Sequence, residues 1–153
     1  MKLLFSLLLL GLGWSAQAQI NGATLQASGL TCSMCSKAVK NALEKVPFVE
    51  KVLVDIKNQQ YKLTFRSGTP LDFDGLSKAV EDAGFSVAAL SVTATLPVQT
   101  LAKDQHVQIG NQYFHFLNGS GQALNGATTF TLVDKSFVLP KEYKKWSSRS
   151  KMS

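Results

Sequence analysis

The sequence predicts an α+β fold: a four-stranded sheet with two helices on one face, followed by a small, mostly-β stretch. Three observations predict it. Apolar residues recur at helical spacing twice, in the stretches 35–46 and 73–83. Runs of period-2 alternation lie before, between and after those stretches. A short polar turn, Lys57-Asn58-Gln59, separates the two middle runs, as in a hairpin.

Each element has its own signal. Ala23, Leu25 and Ala27 alternate with Thr24, Gln26 and Ser28, which gives a first strand, broken by Gly29-Leu30-Thr31. From Cys35 the apolar positions are Ala38, Val39, Ala42, Leu43 and Val46, with Lys37, Lys40, Asn41, Glu44 and Lys45 opposite. Pro47 ends this first helix, since proline lacks the N–H and its ring blocks continuation. Phe48, Val52, Val54 and Ile56 form the inward face of the second strand; Tyr61, Leu63 and Phe65 form that of the third. After the Ser67-Gly68-Thr69-Pro70 loop, Asp72 can cap a second helix with Phe73, Leu76, Ala79, Val80 and Ala83 inside. Gly84 suits the left-handed position that closes a helix. Phe85 to Val92 reads as the fourth strand. The order β-α-β-β-α-β is that of the ferredoxin-like sandwich, reached with right-handed crossovers.

The chain has 153 residues, 45% hydrophobic and 17% charged, with a formal net charge of +6. The apolar share supports a packed core, which excludes wholesale disorder. With 2 cysteines a disulfide-rich scaffold is excluded.

Met1 to Gln19 reads as an address. Lys2 precedes the apolar run Leu3 to Leu12, and Ala16-Gln17-Ala18 follows in the small-x-small order of a secretory cleavage site. About twenty apolar residues are needed to cross a bilayer, so this run predicts a signal peptide rather than a membrane anchor. The expected organisation is a signal peptide over 1–18, the β-α-β-β-α-β unit over 22–94, a mostly-β module over 95–146 and a basic tail over 147–153. The expected product is periplasmic or secreted, with no transmembrane segment once the signal is removed.

The last third is less informative. Val107 to Ile109 and Tyr113 to Leu117 read as a hairpin around Gly110-Asn111, followed by a turn at Asn118-Gly119-Ser120-Gly121. Thr128 to Val133 and Ser136 to Leu139 read as two strands, and Lys141 to Trp146 as a short helical turn. His115 alternates with Phe114 and Phe116, which puts it on the outer face; neither it nor His106 is assigned a ligand role. Lys141, Lys144, Lys145, Arg149 and Lys151 read as a solvated basic stretch, and Trp146 as a residue packed on the small module. No basic-aromatic interleaving points to nucleic acid. No Ser-His-Asp set, carboxylate pair or phosphate loop points to hydrolysis or phosphoryl transfer.

The residues that carry chemistry are Cys32 and Cys35, in Thr31-Cys32-Ser33-Met34-Cys35. They fall where the first strand hands over to the first helix. Unpaired N–H groups and the helix dipole favour thiolate there, and Lys37 adds positive charge. Two thiolates at this spacing can face one point and suit a soft ion such as Cu(I). Zinc prefers four ligands, and two are evident. Met34 between them reads as solvent-exposed. Two rival readings are an inert local disulfide and a thiol–disulfide oxidoreductase.

Gly29-Leu30-Thr31-Cys32-Ser33-Met34-Cys35, inside this element order and with Ala83-Gly84-Phe85 near its end, resembles the heavy-metal-associated domain. The pattern of that family is G-M-T-C-x-x-C with a late Ala-Gly-Phe or Ala-Gly-Tyr. The resemblance implies metal ligation by Cys32 and Cys35, loop support from Leu30 in place of the family's Met, and packing of Phe85 near the metal loop. Thr31, where zinc-directed members often carry an acid, tilts the implied ion toward Cu(I), with Hg(II), Ag(I) or Zn(II) as alternatives. The implied activity is non-enzymatic transport of a metal ion, the implied partner a donor or acceptor protein with its own thiolate site. The export signal departs from cytosolic copper chaperones and resembles the periplasmic mercury-binding protein.

Overall fold

The computed structural model describes residues 18–102, 104–117, 121 and 123–148. The expected leader up to residue 17, most of the expected 118–121 turn and the tail from 149 lie outside the described residues.

β1 (Gln19–Ser28), α1 (Ser33–Leu43), β2 (Val49–Asp55), β3 (Gln60–Phe65), α2 (Phe73–Asp82) and β4 (Ser86–Thr100) follow in the expected order. β1 is central, paired antiparallel with β3 on one side and β4 on the other, and β2 pairs with β3. This interleaving of two β-α-β halves is the ferredoxin-like arrangement. The core lies between sheet and helices: Leu25, Tyr61, Leu90 and Val92 from the strands meet Val39, Leu43, Leu76 and Val80 from the helices, all fully buried.

The ends of α2 follow their signals. Asp72 caps α2, its carboxylate accepting from the Gly75 N–H at 3.3 Å. Beyond the other end, Gly84 takes φ +88, with Gly84 N–H to Glu81 O and Phe85 N–H to Val80 O closing the last turn. That paired closure needs a left-handed residue, which glycine supplies without a Cβ penalty. It also delivers Phe85 to the end of the sheet.

Several expectations are corrected. α1 stops at Leu43; Val46 is buried from the turn that follows, so the helix ends before Pro47 acts. A register shift between Val49 and Lys51 buries Val49, and Ile56 reaches the turn 62% exposed instead of facing the core. β4 does not stop at Val92 but continues to Thr100, so the expected 94/95 boundary falls inside a strand. The β-rich C-terminal region is present and shares that strand: β7 (Ala123–Thr131) pairs with β4 as a fifth strand, giving the order β2-β3-β1-β4-β7. Ser91–Thr131 and Thr93–Thr129 hydroxyl pairs at 3.0 and 2.9 Å join them on the outer face.

β5 (Gln105–Ile109) and β6 (Gln112–Phe116) form the expected hairpin as a separate two-stranded sheet. It is tied to the main unit by Gln112 Nε2 donating to Leu71 O at 2.7 Å and by edge-to-face Phe114 contacts with Phe73 and Phe130. The strand expected at Ser136–Leu139 is a turn: the Asp134 carboxylate and carbonyl accept from the N–H groups of Ser136 and Phe137. This turn places Phe137 in the core, 3% exposed. α3 (Pro140–Ser147) replaces the expected short helical turn, with proline at its start, where no N–H is needed. Trp146 is half-buried there.

Candidate metal centre

The loop between β1 and α1 is shaped before any cysteine is considered. Gly29 takes φ +84, turning the chain off the sheet. A Cβ on it would sit 3.9 Å from the Phe85 ring, so Phe85 stands beside the loop as the resemblance implied. Leu30 packs against the core in the way expected of an apolar support.

Two further supports carry no sequence signal specific enough to find. Gln59, in a left-handed conformation at the β2–β3 turn, donates from Nε2 to the Leu30 carbonyl at 3.2 Å. Tyr61, fully buried on β3, donates from Oη to the Ser36 carbonyl at 3.3 Å, in the first turn of α1. Burial raises the Tyr61 pKa above its ordinary value, and negative charge on Cys35 pushes the same way.

Cys32 is the N-cap of α1. Its backbone is extended, and its sulfur accepts from the Cys35 N–H at 3.3 Å, in the place usually held by a serine or aspartate oxygen. Cys35 lies on the helix itself. The two sulfurs face each other at 2.6 Å, both as free thiols, Cys32 exposed and Cys35 half-buried. The Cys32 side chain, hydrogen-bonded to Cys35, lowers the Cys35 pKa most; burial opposes this next, and the backbone of Thr31 and Cys32 lowers it further. The first turn of α1 holds no acidic residue to oppose that charge. Met34 is 71% exposed, as expected, and Lys37 is exposed on the same helix. Chemically, the arrangement offers two adjacent sulfurs, one poised to ionise, open to solvent. Among the described residues no three His, Cys, Asp or Glu groups are gathered to hold a metal ion.

The heavy-metal-associated domain pattern matches residues 24–86, which contain this loop and both helices. The mercuric transport protein periplasmic component of Pseudomonas fluorescens is 37% identical over 84 residues, covering 55% of this chain and 91% of that protein. The chain belongs to the heavy-metal-associated domain family. The mercuric transport protein periplasmic component of Serratia marcescens is 38% identical over 72 residues, covering 47% of this chain and 75% of that protein. Among longer proteins with this domain, the copper-transporting ATPase HMA4 of Oryza sativa subsp. japonica is 33% identical over 75 residues, 49% of this chain; the match spans 8% of the ATPase. The crystal structure of oxidized MerP from Ralstonia metallidurans CH34 is 39% identical, covers 46% of this chain and 96% of that one, and has a TM-score of 0.39. No helix among the described residues is long and apolar enough to cross a membrane.

Proposed function

We propose that this member of the heavy-metal-associated domain family is an exported carrier or scavenger of a soft metal ion, Cu(I) first, held by the thiolates of Cys32 and Cys35. The observation that carries this reading is the pair of free, facing, solvent-open sulfurs at the start of α1, with Cys35 poised to ionise. Soft ions take sulfur at low coordination number, and two sulfurs with open solvent beside them meet that need.

The mechanism is ligand exchange without catalysis on a substrate. Two sulfurs that alone hold one ion at about 2.3 Å each stand up to roughly 4.6 Å apart, far beyond their separation here. Loading therefore parts the pair. Cys35 is held by the helix; Cys32, ahead of the first turn, is the ligand that swings. A partner's thiolate then adds as a third ligand, and Cys32 leaves first. Each step trades one metal–sulfur bond for another, so release stays fast under tight binding. Both thiols must be reduced to act, so a reductant serves the exported protein. The periplasmic naming of the mercuric relatives and the N-terminal Lys2-to-Ala18 pattern support export.

A second reading, Hg(II) as cargo, is favoured by coverage. The mercuric components are matched over 91% and 75% of their length, the ATPase over 8%. Native mass spectrometry of the reduced protein offered Cu(I), Zn(II) and Hg(II) together separates the readings. One Cu(I) per chain, lost in Cys32→Ser, is the expected result. Preferential Hg(II) uptake supports the second reading, and undiminished binding in Cys32→Ser removes the two-thiolate site altogether. A thiol–disulfide oxidoreductase would instead reduce a test disulfide at a rate lost in Cys35→Ser.

A further inference from the structure

The main sheet ends on one side in β2, which among the described residues pairs with β3 alone. The Arg66 N–H donates to the Phe48 carbonyl at 2.9 Å, which makes Val49/Phe65 a non-hydrogen-bonded pair. A one-residue bulge at Glu50 follows. Leu53/Lys62 is then a hydrogen-bonded pair, and Val52 and Val54 turn their N–H and C=O groups away from β3. Those groups form an unpaired edge, a template for another strand. The opposite edge, β7, is interrupted by Gly126 in a left-handed conformation, φ +70.

The side chains along the β2 edge are complementary to their own reversal. Lys51, Leu53 and Asp55 share the outer face; Lys51 is exposed, and Leu53 is 53% exposed, unusual for a strand leucine. On the inner face Val52 is buried, while Val54 packs on the core yet stays half-buried. A second copy laid antiparallel along this edge keeps its helices on the same side only if outer residues face outer ones. Among the symmetric registers that do so, centring on Lys51 sets it against itself, centring on Val52 sets Lys51 against Leu53, and centring on Val54 sets Lys51 against Lys57. Centring on Leu53 sets Lys51 against Asp55 twice, Leu53 against its own copy and Val52 against Val54, which completes the cover of Val54. Opposite charges and apolar pairs directly across a ladder are favourable, and like charges are not.

We propose that β2 is a self-association surface, on which a second copy of this chain pairs antiparallel about Leu53 and joins two sheets into one. The contact is isologous, the same patch on both copies, so it closes at two chains instead of growing. Val52 and Val54 of each copy exchange backbone hydrogen bonds with Val54 and Val52 of the other. The bulge at Glu50 ends the paired stretch on one side and the 56–59 turn ends it on the other, so residues 51–55 carry the contact. A ribbon of that length falls below the roughly 1,200 Å² of a stable interface, which makes the dimer weak and dependent on concentration. The bland reading of the same edge is protection, since charged residues on an edge strand keep other strands away. It gives the order of Lys51, Leu53 and Asp55 no significance.

The test is sedimentation equilibrium of the full chain carrying Cys32→Ser and Cys35→Ser, from micromolar to millimolar. In that background neither a bridging ion at the thiols nor a disulfide between them can join copies, so the outcome is independent of the cysteine pair. A monomer–dimer equilibrium with no larger species is expected. Lys51→Glu changes an exposed side chain, sets acid against Asp55 at both ends of the contact and should weaken the dimer by about tenfold or more. Leu53→Cys in the same background should link two copies on oxidation with diamide, because opposed Cα atoms of a non-hydrogen-bonded pair lie about 4.5 Å apart, within disulfide reach. Lys62→Cys, on the outer face one strand further in, should not. A monomer at every concentration, association indifferent to Lys51→Glu, growth beyond two chains, or equal linking at both positions overturns the proposal.

Discussion

Tyr61 Oη donates to the Ser36 carbonyl at 3.3 Å, tying the start of β3 to the first turn of the helix that carries Cys35. Ser36 O lies one residue past Cys35, and its N–H bonds back to Cys32 O at 3.3 Å. Tyr61 thus anchors the floor under both sulfurs from inside the core. Tyr61→Phe removes this bond and keeps the ring. The net value of such a hydrogen bond is about 1 kcal/mol, so urea unfolding should show a loss of that size, with the slope unchanged. Tyr61→Ala also leaves a cavity and should cost about 3–5 kcal/mol.

Cys35 should ionise below the usual thiol range, and the cause can be removed. The largest contribution is the hydrogen bond from the Cys32 side chain. The rate of Cys35 alkylation by iodoacetamide, followed against pH, should therefore have a higher midpoint in Cys32→Ala than in Cys32→Ser, where a hydroxyl can still donate. Equal midpoints would assign the shift to the helix terminus alone. The sign for folding follows from the same direction. A thiol whose folded pKa lies below its unfolded one stabilises the fold above the unfolded value. That contribution is lost as pH falls through the folded value.

Gly29 is the sharpest test of the loop. At φ +84 a residue with a Cβ is strained, yet an added Cβ would meet the Phe85 ring at an ordinary 3.9 Å. The cost of Gly29→Ala is thus conformational and not a clash, about 1–2 kcal/mol for a left-handed alanine. Asparagine tolerates that conformation better, so Gly29→Asn should melt above Gly29→Ala. The reverse order would mean that side-chain volume beside Phe85, rather than backbone conformation, sets the limit.

Local rules made most of this fold legible. Asp72 and Gly84 announce the two ends of α2 by chemistry that acts within one turn. The alternation of Tyr61, Leu63 and Phe65 announces a buried strand face. Cys32 and Cys35 stand out because a sulfur pair at a strand-to-helix junction has few other uses. What stayed illegible depends on partners far along the chain. The extension of β4 to Thr100 exists because β7, some thirty residues later, pairs with it. Gln59 braces the β1–α1 loop from a turn nearly thirty positions away, and nothing in its neighbours in sequence marks it. His106 and His115 alternate like any solvent-facing pair; only the register of the hairpin stacks them.

Phe137 decides whether the C-terminal region is an appendage or part of the same folding unit. The residue is 3% exposed and belongs to the same continuous core as Leu25 and Leu76. Ser77, on α2, donates to the Ser136 carbonyl at 3.1 Å, fixing this turn against the helix. β7 covers one edge of β4, which would otherwise present unpaired backbone groups. Phe137→Ala should then lower the stability of the whole chain by about 3–5 kcal/mol. The loss should appear in one transition, with probes on α1 and on the β5–β6 hairpin unfolding together. Two separate transitions, with the α1 probe indifferent to Phe137→Ala, would make the C-terminal region an independent module docked on a domain that is stable without it.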